Sequence, residues 1–234
     1  MANVYRIRRS VIIYLSLIVS VFLIVSNTSN QTSQIQPVSI DKDQTTSSSP
    51  ALDALANLAI KGRAPKTDYS RDQFGASWTT QNGCDTRNII LNRDLLNPAV
   101  DEKCNVVSGT LNDPYTGKII QFKRGSNTSG EVQIDHVVAL SDAWQKGAQQ
   151  FTSKMRITLA NDPLELLAVD GNANMQKSDG DAATWLPSNK SFRCQYVVRQ
   201  IAVKQKYGLW ITQAEHDAIF VVLEKCPDRL LPTP

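Results

Sequence analysis

Apolar residues recur along this chain with more than one spacing, and each change of spacing marks an element. Residues 11–25 form a single apolar run, broken only by Ser16 and Ser20. Residues 27–50 hold mainly Ser, Thr, Asn and Gln, and so bury too little apolar surface to offset the entropy of ordering. They read as a disordered polar spacer. In residues 50–61, Leu52, Leu55, Leu58 and Ala59 fall at helical spacing, which predicts a short amphipathic helix at the start of the folded part. Residues 86–96 predict a second helix, with Ile89, Ile90, Arg93 and Leu96 near one face. Residues 106–111 and 118–122 read as strands. The Asp113-Pro114-Tyr115-Thr116-Gly117 string between them predicts a hairpin.

Further on, residues 132–138 read as a strand by their β-branched content. Residues 140–150 read as a helix with Ala143, Trp144 and Ala148 on one side. Residues 164–169 form a short apolar strand ended by Asp170-Gly171, and a helix is expected to begin at Asn174. Residues 195–207 and 212–225 predict two more helices, ended by Gly208 and Pro227. Thr212 and Glu215 stand at capping-box spacing. Short strands followed by helices predict an α+β domain.

Composition narrows the class. At 234 residues and 41% hydrophobic the chain is neither wholly disordered nor, with one long apolar run, a polytopic membrane protein. The formal net charge of +3 looks like an electrostatic hint, but Arg6, Arg8 and Arg9 account for all of it. Those arginines precede the apolar run, which is the layout of a secretory signal and is short for a membrane span. Residues 1–26 are therefore expected to be a signal peptide or, uncleaved, an N-terminal anchor. Residues 27–50 would be the spacer and 51–234 the functional domain. A secreted or extracytoplasmic location follows, with membrane attachment only through residues 11–25. Cys84, Cys104, Cys194 and Cys226 are even in number, which in an exported chain favours two disulfides. The pairs Cys84–Cys104 and Cys194–Cys226 each close a short loop and are preferred. No C-x2-C pair is present to favour zinc.

Histidine is scarce. His136 stands in Ile134-Asp135-His136-Val137-Val138, and His216 is expected on a helix surface. Neighbours on a flat strand point to opposite faces, but at a strand end both Asp135 and His136 can reach one site. A second strand containing Glu165 follows, then a turn with Asn172, then Asn174 and Lys177 on a helix. This order resembles the HNH, or ββα-metal, endonucleases. In particular it resembles their exported branch, which is related to the nuclease part of modification-dependent restriction enzymes. Six ordered strings carry the resemblance across residues 68–226. They are Gly83-Cys84-Asp85-Thr86-Arg87-Asn88, Asp113-Pro114-Tyr115-Thr116-Gly117, Ile134-Asp135-His136-Val137-Val138-Ala139-Leu140, Ala160-Asn161-Asp162-Pro163-Leu164, Asp170-Gly171-Asn172-Ala173-Asn174 and Ala183-Thr184-Trp185-Leu186-Pro187.

The resemblance implies a metal-dependent endonuclease that hydrolyses DNA phosphodiesters with little sequence preference. His136 would be general base, and Asp135 and Asn174 would hold one divalent ion, Mg²⁺ first, with Mn²⁺ or another as alternatives. Lys177 would hold a phosphate. The partner would be nucleic acid, DNA before RNA, and the protein a monomer. The family's middle Asn aligns with Glu165 here. Three readings stay open: Glu165 orients His136; Asn161 or Asn172 substitutes; or the fold is an inactive binding module. Asp85 and Arg87 read equally as an N-cap with a salt-bridge partner and as site groups. Trp78, Trp144, Trp185 and Trp210 are expected in the core. Lys204 and Lys206 are expected on a solvated helix face, and Asp179 and Asp181 in a loop.

Overall fold

The computed structural model describes residues 50–232. The expected export segment, and the spacer up to residue 49, lie outside them. Helix α1 (Pro50–Ala56) is shorter than expected and buries Ala51, Ala54 and Leu55; of the predicted face, Leu55 and Leu58 are buried, Leu52 is half-buried and Ala59 is exposed. A 3₁₀ turn at Arg71–Phe74 precedes a short ribbon of β1 (Thr80–Gln81) and β2 (Cys84–Asp85). Asp85 then caps α2 (Thr86–Asp94), its carboxylate accepting from the Asn88 N–H at 2.7 Å.

Strands β3 (Leu96–Val100), β4 (Val106–Asn112) and β5 (Ile119–Lys123) form an antiparallel sheet in that order. The β4–β5 pair is the expected hairpin. Its turn uses Gly117 at φ +77°, a conformation that a side chain disfavours. Strand β3 has no counterpart in the sequence reading. Its Asn97-Pro98 step and irregular register leave no alternation to detect.

Strand β6 (Val132–His136) comes next, then α3 (Leu140–Gln145), α4 (Ser153–Ala160) and β7 (Leu166–Asp170). Strands β6 and β7 pair antiparallel, from Val132 opposite Asp170 to His136 opposite Leu166. Helix α5 (Gly171–Lys177) follows β7 without a loop. It begins three residues before the expected Asn174, because the Asp170 side chain accepts from the Ala173 N–H at 2.8 Å and caps it. At Gly171 the helix start lies against the chain entering β6. A Cβ there would run into the Gly130 carbonyl oxygen. Helices α6 (Arg193–Tyr207) and α7 (Gln213–Leu223) complete the domain. Gly208, at φ +64°, ends α6, and Thr212 caps α7.

Three apolar clusters hold these elements. Leu55, Val197, Ile201, Ile219 and Leu223 pack α1, α6 and α7 together. Phe74, Trp144, Leu159 and Val203 gather α3, α4 and α6. Ile90, Leu91, Val106, Leu166 and Ala168 bind α2 to strands of both larger sheets. Disulfides join Cys84 to Cys104 and Cys194 to Cys226, the pairings preferred from loop length. The arrangement is a single α+β domain of helices and small antiparallel sheets. Among the described residues no helix is long and apolar enough to cross a membrane.

One expectation reverses. Lys204 is wholly buried rather than solvated, in an ion cluster with Lys146, Arg63, Asp142, Asp181 and Glu215. Lys146 Nζ lies 2.7 Å from Asp142, 2.8 Å from Asp181 and 2.5 Å from Glu215. Lys204 Nζ lies 3.0 Å from Glu215, and Arg63 reaches Asp181 at 2.6 Å. Three cations thus meet three carboxylates drawn from α3, α6, α7 and two loops. Charges this buried persist only when paired. Asp181, expected in a plain loop, owes its burial to the same cluster.

Candidate functional site

His136 ends β6 and Asp135 precedes it, and both line one cleft of about 540 Å³ together with Asn174 of α5. The strand end thus lets two consecutive side chains serve a single space. His136 is 5% exposed, and its Nε2 lies 3.0 Å from the Ala160 carbonyl oxygen. A carbonyl only accepts, so Nε2 carries the proton and donates, and Nδ1 keeps the lone pair. Burial lowers the imidazole pKa to about 3, and the Arg71 charge adds to the effect against the opposing Ala160 bond. The ring is therefore neutral across the physiological range. Trp78 stacks on it, with centroids 5.6 Å apart and planes 10° from parallel. Trp78 is thus a wall of the site rather than only core.

Asp135 is buried, and its Oδ1 accepts from Lys177 Nζ at 2.9 Å. Its Oδ2 accepts a short hydrogen bond from the Tyr115 hydroxyl. Burial raises its pKa above the usual carboxylate value, against the lowering pull of Lys177 and Tyr115. Lys177 also donates to the His136 carbonyl at 2.8 Å and is 2% exposed. Its ammonium is directed under the strand and not into the cleft. Asn174 reaches the cleft and donates to the Gln133 side-chain oxygen at 2.8 Å.

The remaining expected residues divide. Glu165 is fully buried just before β7. Its Oε2 accepts from the Val138 N–H at 3.2 Å and its backbone oxygen from the Val137 N–H at 2.9 Å. It braces the segment after His136 and makes no hydrogen bond to the imidazole. Burial pushes its pKa well above the usual carboxylate range, and its Oε1 has no hydrogen-bond partner. Asn161 accepts from the Thr79 N–H at 3.0 Å and donates to the Ile157 carbonyl at 2.9 Å, beside the recess behind Trp78. Asn172 is exposed and lines other recesses, away from His136. Arg87 lines the cleft and donates to the Ser129 and Val132 carbonyls at 3.2 and 3.0 Å, which fixes the start of β6.

Sequence reasoning missed Arg71, Lys66 and Gln133 as lining groups, and Tyr115 as a partner of Asp135. Tyr115 lies in a string already singled out, so that signal was present. Nothing local marks Arg71.

Asp135 and Asn174 are the residues that could hold a hard divalent ion, Asp135 already accepting from Lys177 and Tyr115. A carboxylate has about four lone-pair sites, so each Asp135 oxygen retains acceptor capacity beyond its one hydrogen bond. Magnesium takes one or two carboxylates and leaves the rest of its shell to water and phosphate. Among the described residues no group of three or more His, Cys, Asp or Glu side chains is placed to hold a metal ion, so an ion in the cleft would rest on few protein ligands.

A paired ββ unit is followed by a helix, and His136, Asp135 and Asn174 line one cleft of this α+β domain. Residues 85–222 match the family described as GmrSD restriction endonucleases, C-terminal domain, and the chain belongs to that family. It is also 38% identical over 183 residues to an uncharacterized secreted protein of Arthroderma benhamiae, across 77% of this chain and 86% of that protein. No solved structure matches the chain.

Proposed function

We propose that the protein is an HNH-type endonuclease that hydrolyses phosphodiester bonds of DNA outside the cytoplasm. The observation that carries this reading is the contact of His136 Nε2 with the Ala160 carbonyl oxygen, at 3.0 Å. With its Nε2 held by Ala160, the ring leaves Nδ1 to accept a proton from water; burial makes it a weak base, and the negative charge of a bound phosphodiester raises its basicity. The deprotonated water attacks phosphorus, and the bond to the 3′-oxygen breaks. The proton removed resides on Nδ1 until solvent takes it, and the leaving 3′-oxygen takes a proton from solvent water to become the 3′-hydroxyl. Asp135 and Asn174 hold the divalent ion, which when bound supplies charge stabilisation for the phosphorane and the leaving oxygen. Trp78 fixes the plane of the ring, and Glu165 fixes the backbone beyond it.

Two disulfides and a secreted relative support an extracytoplasmic location. Little sequence preference is in keeping with a cleft whose cationic groups recognise backbone charge rather than base edges. The test is plasmid cleavage by the full chain in Mg²⁺ or Mn²⁺, with EDTA and His136→Ala as controls. Nicking lost under both controls supports the reading. A plasmid left intact, yet retarded on a gel, would replace it with a non-catalytic binding module.

A further inference from the structure

Lys66, Arg71 and Arg87 are the cations that line the cleft. Two of them are committed within the protein. Lys66 pairs with Asp179 at 3.1 Å, and Arg87 donates to two backbone carbonyls. Lys177, the residue expected to meet a phosphate, is committed to Asp135. Arg71 differs. It is exposed, and among the described residues its guanidinium makes no hydrogen bond and no ion pair. It borders both the main cleft and a smaller recess of about 250 Å³ that shares His136, Trp78 and Leu140 with it.

The support under Arg71 is firm. Phe74, three residues on, is 2% exposed, with its ring 6.4 Å from those of Tyr69 and Trp144. Arg156 clamps Gln73, donating to its backbone and side-chain oxygens at 3.0 Å each. A free guanidinium on a fixed base, beside a neutral base residue, is arranged for an anion. A phosphodiester presents two charged non-bridging oxygens, which match the planar fork of arginine.

We propose that Arg71 is the phosphate clamp of the cleft, holding the non-bridging oxygens of a nucleic-acid phosphodiester beside His136. The assignment rests on the nuclease reading and deepens it. It also places a substrate-binding group outside residues 85–222, the span of the family match.

The experiment measures anisotropy of a fluorescein-labelled DNA duplex with the full chain in EDTA over a salt series, and then cleavage in Mg²⁺. Arg71→Ala and Arg71→Gln are expected to weaken binding about tenfold and to lower the salt slope by about 1. Arg71→Lys should recover part of the affinity but not the bidentate fit. Lys118→Ala, in a different recess, is the charge-loss control. Thermal midpoints verify folding, and Arg71→Gln carries the measurement if Arg71→Ala unfolds. Binding and salt slope within about twofold of wild type in the folded variants would overturn the clamp even if wild type cuts DNA. Wild type that binds through Arg71 but cuts nothing overturns the nuclease reading and leaves the clamp standing. Wild type that neither binds nor cuts overturns both.

Discussion

Lys177 Nζ sits 2.9 Å from Asp135 Oδ1, and neither side chain is appreciably exposed. The pair binds the end of α5 to the end of β6, under the floor of the cleft. Removing one member of a buried ion pair leaves the other without compensation, at a cost of about 3–5 kcal/mol. Lys177→Met is expected to lower unfolding free energy by that amount in urea denaturation. If its ammonium served a phosphate instead, stability would hold and the salt slope of DNA binding would fall.

Glu165 is expected to be neutral in the native protein. Its carboxyl is buried with one backbone N–H donor, and burial raises its pKa well above the ordinary value near 4.5. The folded state therefore holds a proton that the unfolded chain releases. Stability from this group is full below about pH 4.5 and declines as pH rises toward the folded value. Glu165→Gln mimics the neutral form and should remove that decline. Parallel urea titrations of wild type and variant from pH 5 to pH 8, at about half-unit steps, measure it. Identical slopes would show that Glu165 is ionised.

The buried ion cluster gives the opposite limb. Burial pushes the Asp181 carboxyl up, but the Lys146 hydrogen bond and charge, with Arg63, outweigh it and leave its pKa below the ordinary 3.8. Its contribution is present above that ordinary value and is lost as pH falls through the folded one. Asp181→Asn should flatten the acid limb of stability. Lys146→Met, which leaves three carboxylates to share Arg63 and Lys204, should cost about 3–5 kcal/mol at neutral pH. Thermal unfolding across pH 2 to 6 distinguishes them; a variant with the wild-type acid limb would remove Asp181 from this role.

Local pattern carried much of the fold. Helix α1, the β4–β5 hairpin, β6, β7 and the two last helices announce themselves by apolar spacing, turn residues and caps. Helix α4 does not, because only Leu159, Ala160 and the arginine stem of Arg156 are buried along it. That Asp135, His136 and Asn174 share one cleft was legible because they lie close to a strand end and a helix start. The direction of Lys177 was not. A long flexible side chain follows the strongest nearby charge, and that charge belongs to a strand some forty residues earlier. Lys204 was hidden for the same reason, since Asp142 and Glu215 meet it only in the folded chain. Arg71 and Trp78 reach the site from a segment well before the Asp-His strand, so no local spacing connects them to it.

Gly171 gives the cleft a gauge on its far side. The start of α5 approaches the Gly130 carbonyl so closely that only a hydrogen fits between them. Asn174 lies a single turn along the same helix, so its distance from His136 is inherited from that backbone contact. Any side chain at 171 would act as a spacer, levering the helix outward and widening the gap between base and amide while every named site residue stayed in place.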